Sequence, residues 1–502
     1  EKGGTSVRQF LTLPILLPIV LGIALLILQP KSRRVRSIYI MAASLATTAL
    51  SLACIVLTYL YGSGFLACIM VRFNEAFSIS LRIDGASMVY GAIVSCLWPL
   101  VTVYALDYMS HEGHESRFFA FWLMAYGVVL GVAYSEDFLS LYLFYELLTL
   151  TTLPLVMHSM DEKARYAGRK YVIYSLSGAA FAFIGLVFLL NYGVGHLNFT
   201  YGGVLDPNLV VGQEDTLLLV FTAAFFGFGV KAAIFPFHGW LPDASVAPTP
   251  VSALLHAVAV VKAGAFAVLR LIYFGFGADF LHGTWAQAVV MTGTIVTIVY
   301  GSARALRTPH LKRRLAFSTV SNLSYILFAF TLMSPAGMVG GMTHMVYHAF
   351  IKITMFCCAG AIIHCSGKEY VYDLEDFGRV MPVVFGVFTV VSFGLIGVPP
   401  LGGFAGKWMI SEAAVASGNT LAYVGIAALI LSTLLTTLYL ITIVARAYFP
   451  IGELDTAMLA KVHNPGRTMT VPLVILAASG VVLALCSNQV IGFLQLVSRG
   501  VV

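Results

Sequence analysis

The sequence predicts an all-α polytopic membrane protein of about 14 transmembrane helices, arranged as two inverted five-helix repeats with broken helices. Three observations lead there. Of 502 residues, 59% are hydrophobic and only 10% charged. Soluble chains run near 25% charged, so this chain has too few charges to cover a water-facing surface. Apolar runs of about 20 residues, the length a bilayer demands, recur from end to end. Four lysines, Lys231, Lys262, Lys352 and Lys407, lie inside those runs.

The first run, 10–29, is long enough to span and lacks a small-residue cleavage site, so it is read as a retained helix rather than a signal peptide. Runs at 37–61 and 86–107 complete an N-terminal unit, 1–116. Five more, at 117–134, 137–157, 170–194, 216–240 and 250–274, form the block 117–274. A second five, at 284–306, 314–334, 339–364, 381–411 and 421–448, form the block 284–448. A last run at 471–486 belongs to the C-terminal unit, 449–502. An odd number of helices per block forces the second copy upside down relative to the first, a common plan in transporters.

Each block carries a lysine and a proline in its fourth run. The 381–411 run is too long for one straight span and holds Pro399-Pro400 and Gly402-Gly403 at its middle, so it is expected to break before Lys407. The 216–240 run has Pro236 just after Lys231 and is a second expected break. Lysine and proline come in opposite order in the two runs, so the repeat is one of architecture rather than of sequence identity. Irregular backbone at membrane depth survives only where protein or a wet cavity satisfies it.

Basic residues concentrate in one set of alternate loops, as in Lys31, Arg33, Arg34 and Arg36, then Lys163, Arg165, Arg169 and Lys170, then Arg304, Arg307, Lys312, Arg313 and Arg314. The other set, with both termini, holds few, among them Arg82 and Arg270. The positive-inside rule then places both ends on the outer side. The net charge of +6 is this loop bias and gives no sign of nucleic-acid binding.

A charge at the bilayer centre costs roughly 2.5–3.5 kcal/mol on insertion scales. Four uncompensated lysines would cost on the order of 10–14 kcal/mol, comparable to the stability of a whole domain. They persist only if paired, hydrated and useful. Burial and neighbouring charge both tune a lysine's proton affinity, so these four point to a proton path. The bland alternative is snorkelling, in which the stem lies in lipid and the ammonium reaches the interface; Lys262 and Lys352, nearer the expected span ends, suit it better than Lys231 and Lys407. His344, His348 and Lys352 are spaced i, i+4, i+8 and share one helical stripe. His256 and Lys262 fall on different faces, and His256 reads equally well as a hydrogen-bonded core histidine. Glu146, in an apolar run, needs a partner.

The seven cysteines include no CxxC pair, and no nucleotide-binding or haem-attachment motif occurs. No cofactor and no metal site is expected in this chain. His111, Glu112, His114 and Glu115 form a loop cluster that reads as a solvated turn rather than a metal site.

Several ordered stretches resemble one family. They are Phe144-Tyr145-Glu146-Leu147-Leu148, the run from Phe228 through Lys231, Pro236 and Trp240-Leu241-Pro242-Asp243-Ala244 to His256-Ala257, Leu311–Ser318, His344–Lys352, and Gly397–Lys407. This set resembles the antiporter-like membrane subunits shared by respiratory complex I, Mrp-type sodium/proton antiporters and membrane-bound hydrogenases. The resemblance covers about 80–450. It implies that Glu146 pairs with Lys231, that Lys262 is a relay, that His344, His348 and Lys352 form a further group, and that Lys407 is the terminal lysine. It also implies a prokaryotic cytoplasmic (inner) membrane, other membrane subunits as partners (further antiporter-like ones included), protons and optionally sodium as cargo, and redox chemistry housed elsewhere. Trp240–Ala244 differs from the N-type complex I segment. Lysine at 407 stands where the M-type has glutamate, and the chain ends without the long lateral helix of the L-type. The D-type Mrp protein and its hydrogenase counterpart match best. The alternatives are an M- or L-type pumping subunit of NADH:quinone oxidoreductase and, further off, a stand-alone transporter or a chain that itself binds a redox centre.

Overall fold

The computed structural model describes residues 9–73, 77–450, 459 and 462–500, so parts of the expected terminal units lie outside the described residues. The chain is mostly helical. Its longer helices are α1 (Leu13–Leu28), α2 (Arg33–Tyr61), α3 (Gly85–Tyr108), α4 (Glu115–Tyr134), α5 (Phe138–Val156), α6 (Glu162–Tyr192), α7 (Glu214–Gly229), α8 (Thr249–Ala257) and α9 (Val260–Arg270). The second half continues with α10 (Trp285–Arg307), α11 (Leu311–Thr331), α12 (Pro335–Ser366), α13 (Pro382–Ile396), α14 (Gly402–Ala416), α15 (Thr420–Tyr448), α16 (Arg467–Leu485) and α17 (Ser487–Ser498). Among the described residues, 11 helices are long and apolar enough to cross a membrane.

Polar residues at the helix starts satisfy backbone donors that would otherwise be orphaned. Asp84 accepts from the Ser87 amide, Asp137 from Ser140, Asp161 from Ala164 and Ser334 from Gly337. The apolar residues are distributed as lipid requires. α9, α11 and α12 are buried almost throughout and form the centre of the molecule. Outer helices expose large side chains such as Ile27, Leu60, Leu150 and Leu434, the reverse of a soluble surface.

Two expectations need correction. The fold is not purely α-helical: Cys68–Arg72 pairs antiparallel with Ser78–Leu81, Cys68 opposite Leu81, in a short ladder whose alternating and β-branched residues suit a strand. The run 250–274 is not one helix either. It breaks at Val258 and Ala259, and Leu271–Phe276 continues α9 as a π-helix. No proline or glycine marks that break. It is met from elsewhere: the Tyr90 hydroxyl, on α3, reaches Val258 O and Ala259 O at 3.1 Å each, although Ala259 O also accepts the Ala263 amide.

The connecting segments gather in two groups. In one, Arg36 meets Glu115 at 2.6 Å, His158 Nε2 contacts Gly113 O at 3.1 Å, and His310 bridges to Tyr370. In the other, Asp137 bridges to Asn198, Trp285 donates to Asp215, and the Tyr201 hydroxyl donates to Ser498 O.

Arg270, expected among the loop charges, is fully buried at the C-terminal end of α9. It grips the Asp84 carboxylate with two bonds of 2.6 and 2.7 Å, donates to Ser87 at 3.0 Å, and lies 4.4–4.9 Å from the ring centres of Phe199, Phe266 and Phe274. The pair ties α9 to the start of α3. Removing one member of a buried, hydrogen-bonded pair strands the other's charge, which costs about 3–5 kcal/mol. Arg270→Met or Asp84→Leu alone should therefore lower the melting temperature of the purified protein steeply. The double variant should recover most of the loss, as a double-mutant cycle on thermal unfolding will read.

Candidate functional site

Helix α7 ends at Gly229, and residues 230–239 leave helical geometry before a short turn at Trp240–Asp243. The reversal is local. Ala233 sits at φ 57°, a left-handed conformation that costs an L residue roughly 1–2 kcal/mol. The turn is braced by the Trp240 indole donating to Val230 O at 2.8 Å and by the Phe235 amide donating to Thr297 Oγ1 at 2.9 Å. Lys231 stands in this break with its ammonium pointed at α5. It lies 3.6 Å from Glu146 Oε1, donates to Tyr145 O, and sits 3.5 Å from the centre of the Tyr145 ring. Lys231 is 1% exposed and Glu146 22%, so the pair has one buried and one partly open member.

Helix α9 begins just after the Val258–Ala259 break and presents Lys262 from its first turn. Its ammonium lies 2.6 Å from His348 Nδ1. The His348 ring is 5.9 Å from that of His344, one turn back on α12, and His344 Nε2 lies 3.1 Å from Asn322 Oδ1 on α11. Lys352, one turn beyond His348, donates to Ser318 Oγ and to Leu315 O at 3.1 Å. Lys262, His348 and Lys352 are all fully buried, and their bonds point into the protein. Neither lysine snorkels. His256 is equally buried but lies face to face with Phe356 at 4.5 Å and makes no bond to Lys262, so the two do not act as a contact pair.

The second break has its own logic. α13 stops at Ile396, Gly397 turns through φ 94°, and α14 starts at Gly402. The last turn of α13 leaves carbonyls without intrahelical partners. Lys407 supplies donors to two of them, Leu395 O at 2.9 Å and Ile396 O at 2.7 Å, and to Thr433 Oγ1 at 3.1 Å. A cation at a helix C-terminus also meets the negative end of the helix dipole. Lys407 has no acidic partner among the described residues. A cavity of about 250 Å³ lined by Phe404, Lys407, Trp408 and Thr433 opens beside it, with Trp408 60% exposed.

Sequence reasoning did not find the polar side chains that join these groups. Tyr325 on α11 lies with its ring 5.3 Å from that of His344 and 5.6 Å from the Lys407 ammonium. Its hydroxyl donates to Ser432 Oγ at 2.5 Å, and Ser432 contacts Ser302 and Ser321. With Ser318 and Asn322 these residues make α11 polar along one side. Serines and tyrosines are too common in helices to have been singled out, although Ser318, Ser321, Asn322 and Tyr325 do recur at helical spacing. The loop residues His111 and Glu115 are occupied by a ring contact to His364 at 5.3 Å and by Arg36. Among the described residues, no group of three or more His, Cys, Asp or Glu could hold a metal ion.

Residues 135–436 match the family model described as NADH:quinone oxidoreductase/Mrp antiporter, TM, and residues 73–119 match complex I, chain 5 N-terminus. A NADH-quinone oxidoreductase subunit N of Desulforudis audaxviator is 31% identical over 403 residues, 78% of either chain. A probable K(+)/H(+) antiporter component of Rhizobium meliloti is 31% identical over 418 residues, 83% of this chain. The chain spans only 41% of that antiporter component's length. Two solved structures share the fold over 98% of this chain at 20% identity: the membrane-bound sulfane sulfur reductase, an archaeal respiratory membrane complex (TM-score 0.85), and the Mrp complex from Dietzia sp. (TM-score 0.83).

Close helix packing around the lysines depends on glycine. A Cβ on Gly264 would fall 2.5 Å from Ala232 N and 2.9 Å from the Lys231 carbonyl carbon, both rigid backbone. Gly264→Ala should thus push α9 off the Lys231 turn and destabilise by about 1–3 kcal/mol. Gly386, within α13, has nothing within 4 Å of its Cβ position. Gly386→Ala there should be neutral or stabilising by roughly 0.5–1 kcal/mol. Opposite signs of the two shifts in melting temperature are the expected result.

Proposed function

The chain belongs to the NADH:quinone oxidoreductase/Mrp antiporter family of membrane subunits, and on that premise we propose that it translocates protons through a buried lysine–histidine file, as one membrane subunit of a larger complex. The observation that carries this reading is the file itself: Glu146 against Lys231, Lys262 against His348, His348 beside His344, and Tyr325 between His344 and Lys407. Protons hop between such groups where water enters, and the backbone breaks beside Lys231, Lys262 and Lys407 are where it is admitted.

Glu146 and Lys231 act as the switch. Attraction across 3.6 Å holds the proton on Lys231, and separating the pair lets it move on. A countercharge at this range is worth about 1.4–4 kcal/mol. Lys407 is the terminal station. The residues on the path are Glu146, Lys231, Lys262, His344, His348, Lys352 and Lys407, with His256 beside it. Pro236, Pro399, Pro400, Gly402 and Gly403 keep the helices open.

Fourteen crossings follow if α7, α11 and the α13–α14 pair also span, added to the 11 helices already long and apolar enough. The units 1–116, 117–274, 284–448 and 449–502 then stand as proposed, the middle two as inverted repeats. The contact of Tyr201 with Ser498 supports a C-terminus on the side opposite the basic loops, the outer side of a prokaryotic cytoplasmic membrane. An N-type protein is among the relatives, so the D-type assignment rests on Trp240–Ala244 and Lys407 rather than on overall identity. Exchange for sodium, and a driving reaction supplied by partner subunits, extend the same reading.

Lys407→Ala should abolish coupled translocation by the intact complex while assembly persists, since the ammonium fills no apolar packing role. Translocation at the wild-type rate by a normally assembled variant would reduce Lys407 to a structural residue.

Glu146→Gln removes the countercharge, and Lys231→Ala removes the proton carrier. Either alone leaves the switch inoperative, so the double variant should lose little more than the worse single one. A double-mutant cycle on translocation rate, with assembly checked by co-purification, reads this directly. Losses that add in free energy would rule out a coupled switch.

A further inference from the structure

On the side that gathers the basic loops, a cavity of about 480 Å³ opens between the first turn of α6, the Ala244–Val246 turn, the α10–α11 junction and Glu369–Tyr370. Four cationic side chains border it, Lys163, Arg304, Arg307 and Arg313, against the single carboxylate of Glu369. That carboxylate faces His310 at 3.4 Å. Arg313 reaches Asp243 at 3.0 Å, but Asp243 also holds Lys170 at 2.7 Å, so one carboxylate answers two cations. The guanidinium carbon of Arg304 lies 5.2 Å from the centre of the Phe317 ring. Lys163, Arg304 and Arg307 have no acidic partner among the described residues.

We propose that this cavity binds the phosphate of an anionic membrane-lipid headgroup. Convergent cations around a hollow repel one another until an anion fills it, and guanidinium forks match phosphate oxygens two at a time. Position selects the lipid. Arg304 and Arg307 occupy the last turn of α10 and Arg313 the first turn of α11, the depth at which headgroups lie if these helices span. Basic pockets between helix ends on the positively charged side are where anionic headgroups dock. Val246 and Phe317 give the cavity an apolar wall for the glycerol and first methylenes. Lining residues also connect it to the interior: Phe317 precedes Ser318, which accepts from Lys352, and Arg313 follows Lys312, which donates to Ala247 O at 2.7 Å. A bound headgroup would place negative charge at the mouth of the Lys352 region. This inference does not depend on the proposed path.

The test is native mass spectrometry of the intact complex exchanged into detergent with phosphatidylglycerol, phosphatidylcholine or inorganic phosphate. Phosphatidylglycerol should be retained in preference to phosphatidylcholine, and inorganic phosphate should not compete for its site. Each cation removed should weaken retention about five-fold, so Arg304→Gln with Arg307→Gln should lose it by roughly 25-fold. Lys31→Gln with Arg34→Gln, exposed basic residues away from the cavity, should keep it. If the arginine pair impairs assembly, Lys163→Gln alone still tests the site through a single five-fold loss. Equal retention of both lipids, indifference to the arginine and Lys163 variants, competition by inorganic phosphate, or a cross-link from Lys163 to an acidic segment of another subunit would each overturn the proposal.

Discussion

A charge held inside an apolar bilayer must find oxygen or a countercharge within hydrogen-bond reach, and the rest of this structure is arranged around that requirement. Lys231 finds Glu146 and the Tyr145 carbonyl; Lys352 finds Ser318 and Leu315 O; Lys407 finds the last carbonyls of α13. Lys231 and Lys352 share mid-helix carbonyls, whereas Lys407 meets carbonyls that the end of a helix has left without intrahelical partners. The break between α13 and α14 is therefore the means by which a cation is accommodated at that depth, and Pro399-Pro400 and Gly397 are the residues that impose it.

Those contacts require helices to approach more closely than ordinary side chains permit. Gly264 lies against the Lys231 backbone, and Gly406, the residue before Lys407, lies against His344, where a Cβ would fall 2.8–3.0 Å from its atoms. Each lysine-bearing break is thus pressed onto its neighbour through a glycine. The same packing brings α9 and α12 near enough for Lys262 to meet His348 across the interface between the two halves of the chain. Electrostatics sets which groups must meet, and small residues let them.

Much of this was legible in the sequence because prolines, glycines and buried charges mark themselves. The breaks at 230–239 and 397–401 follow from Pro236 and from Pro399-Pro400 with Gly402-Gly403. The Glu146–Lys231 contact was implied only by the family resemblance, since nothing in local spacing links residues on two helices so far apart in sequence. The break at Val258–Ala259 is hidden because the side chain that meets it, Tyr90, lies on another helix. Arg270 reads as a loop charge because it sits near the end of an apolar run, and its partner Asp84 lies far off in sequence. The short ladder at Cys68–Arg72 was too brief for its alternation to stand out between apolar runs. What escaped was everything supplied by a distant partner.

Lys231 and Lys407 are stabilised by different means. Beside the Tyr145 carbonyl, Lys231 faces the Glu146 side chain, which can rotate away, so part of what surrounds its ammonium is adjustable. Lys407 faces backbone carbonyls and Thr433, fixed by the end of α13, so its surroundings are set once the fold is made. An adjustable site and a fixed site are not interchangeable. A change imposed at Glu146 alters the first and leaves the second as it was.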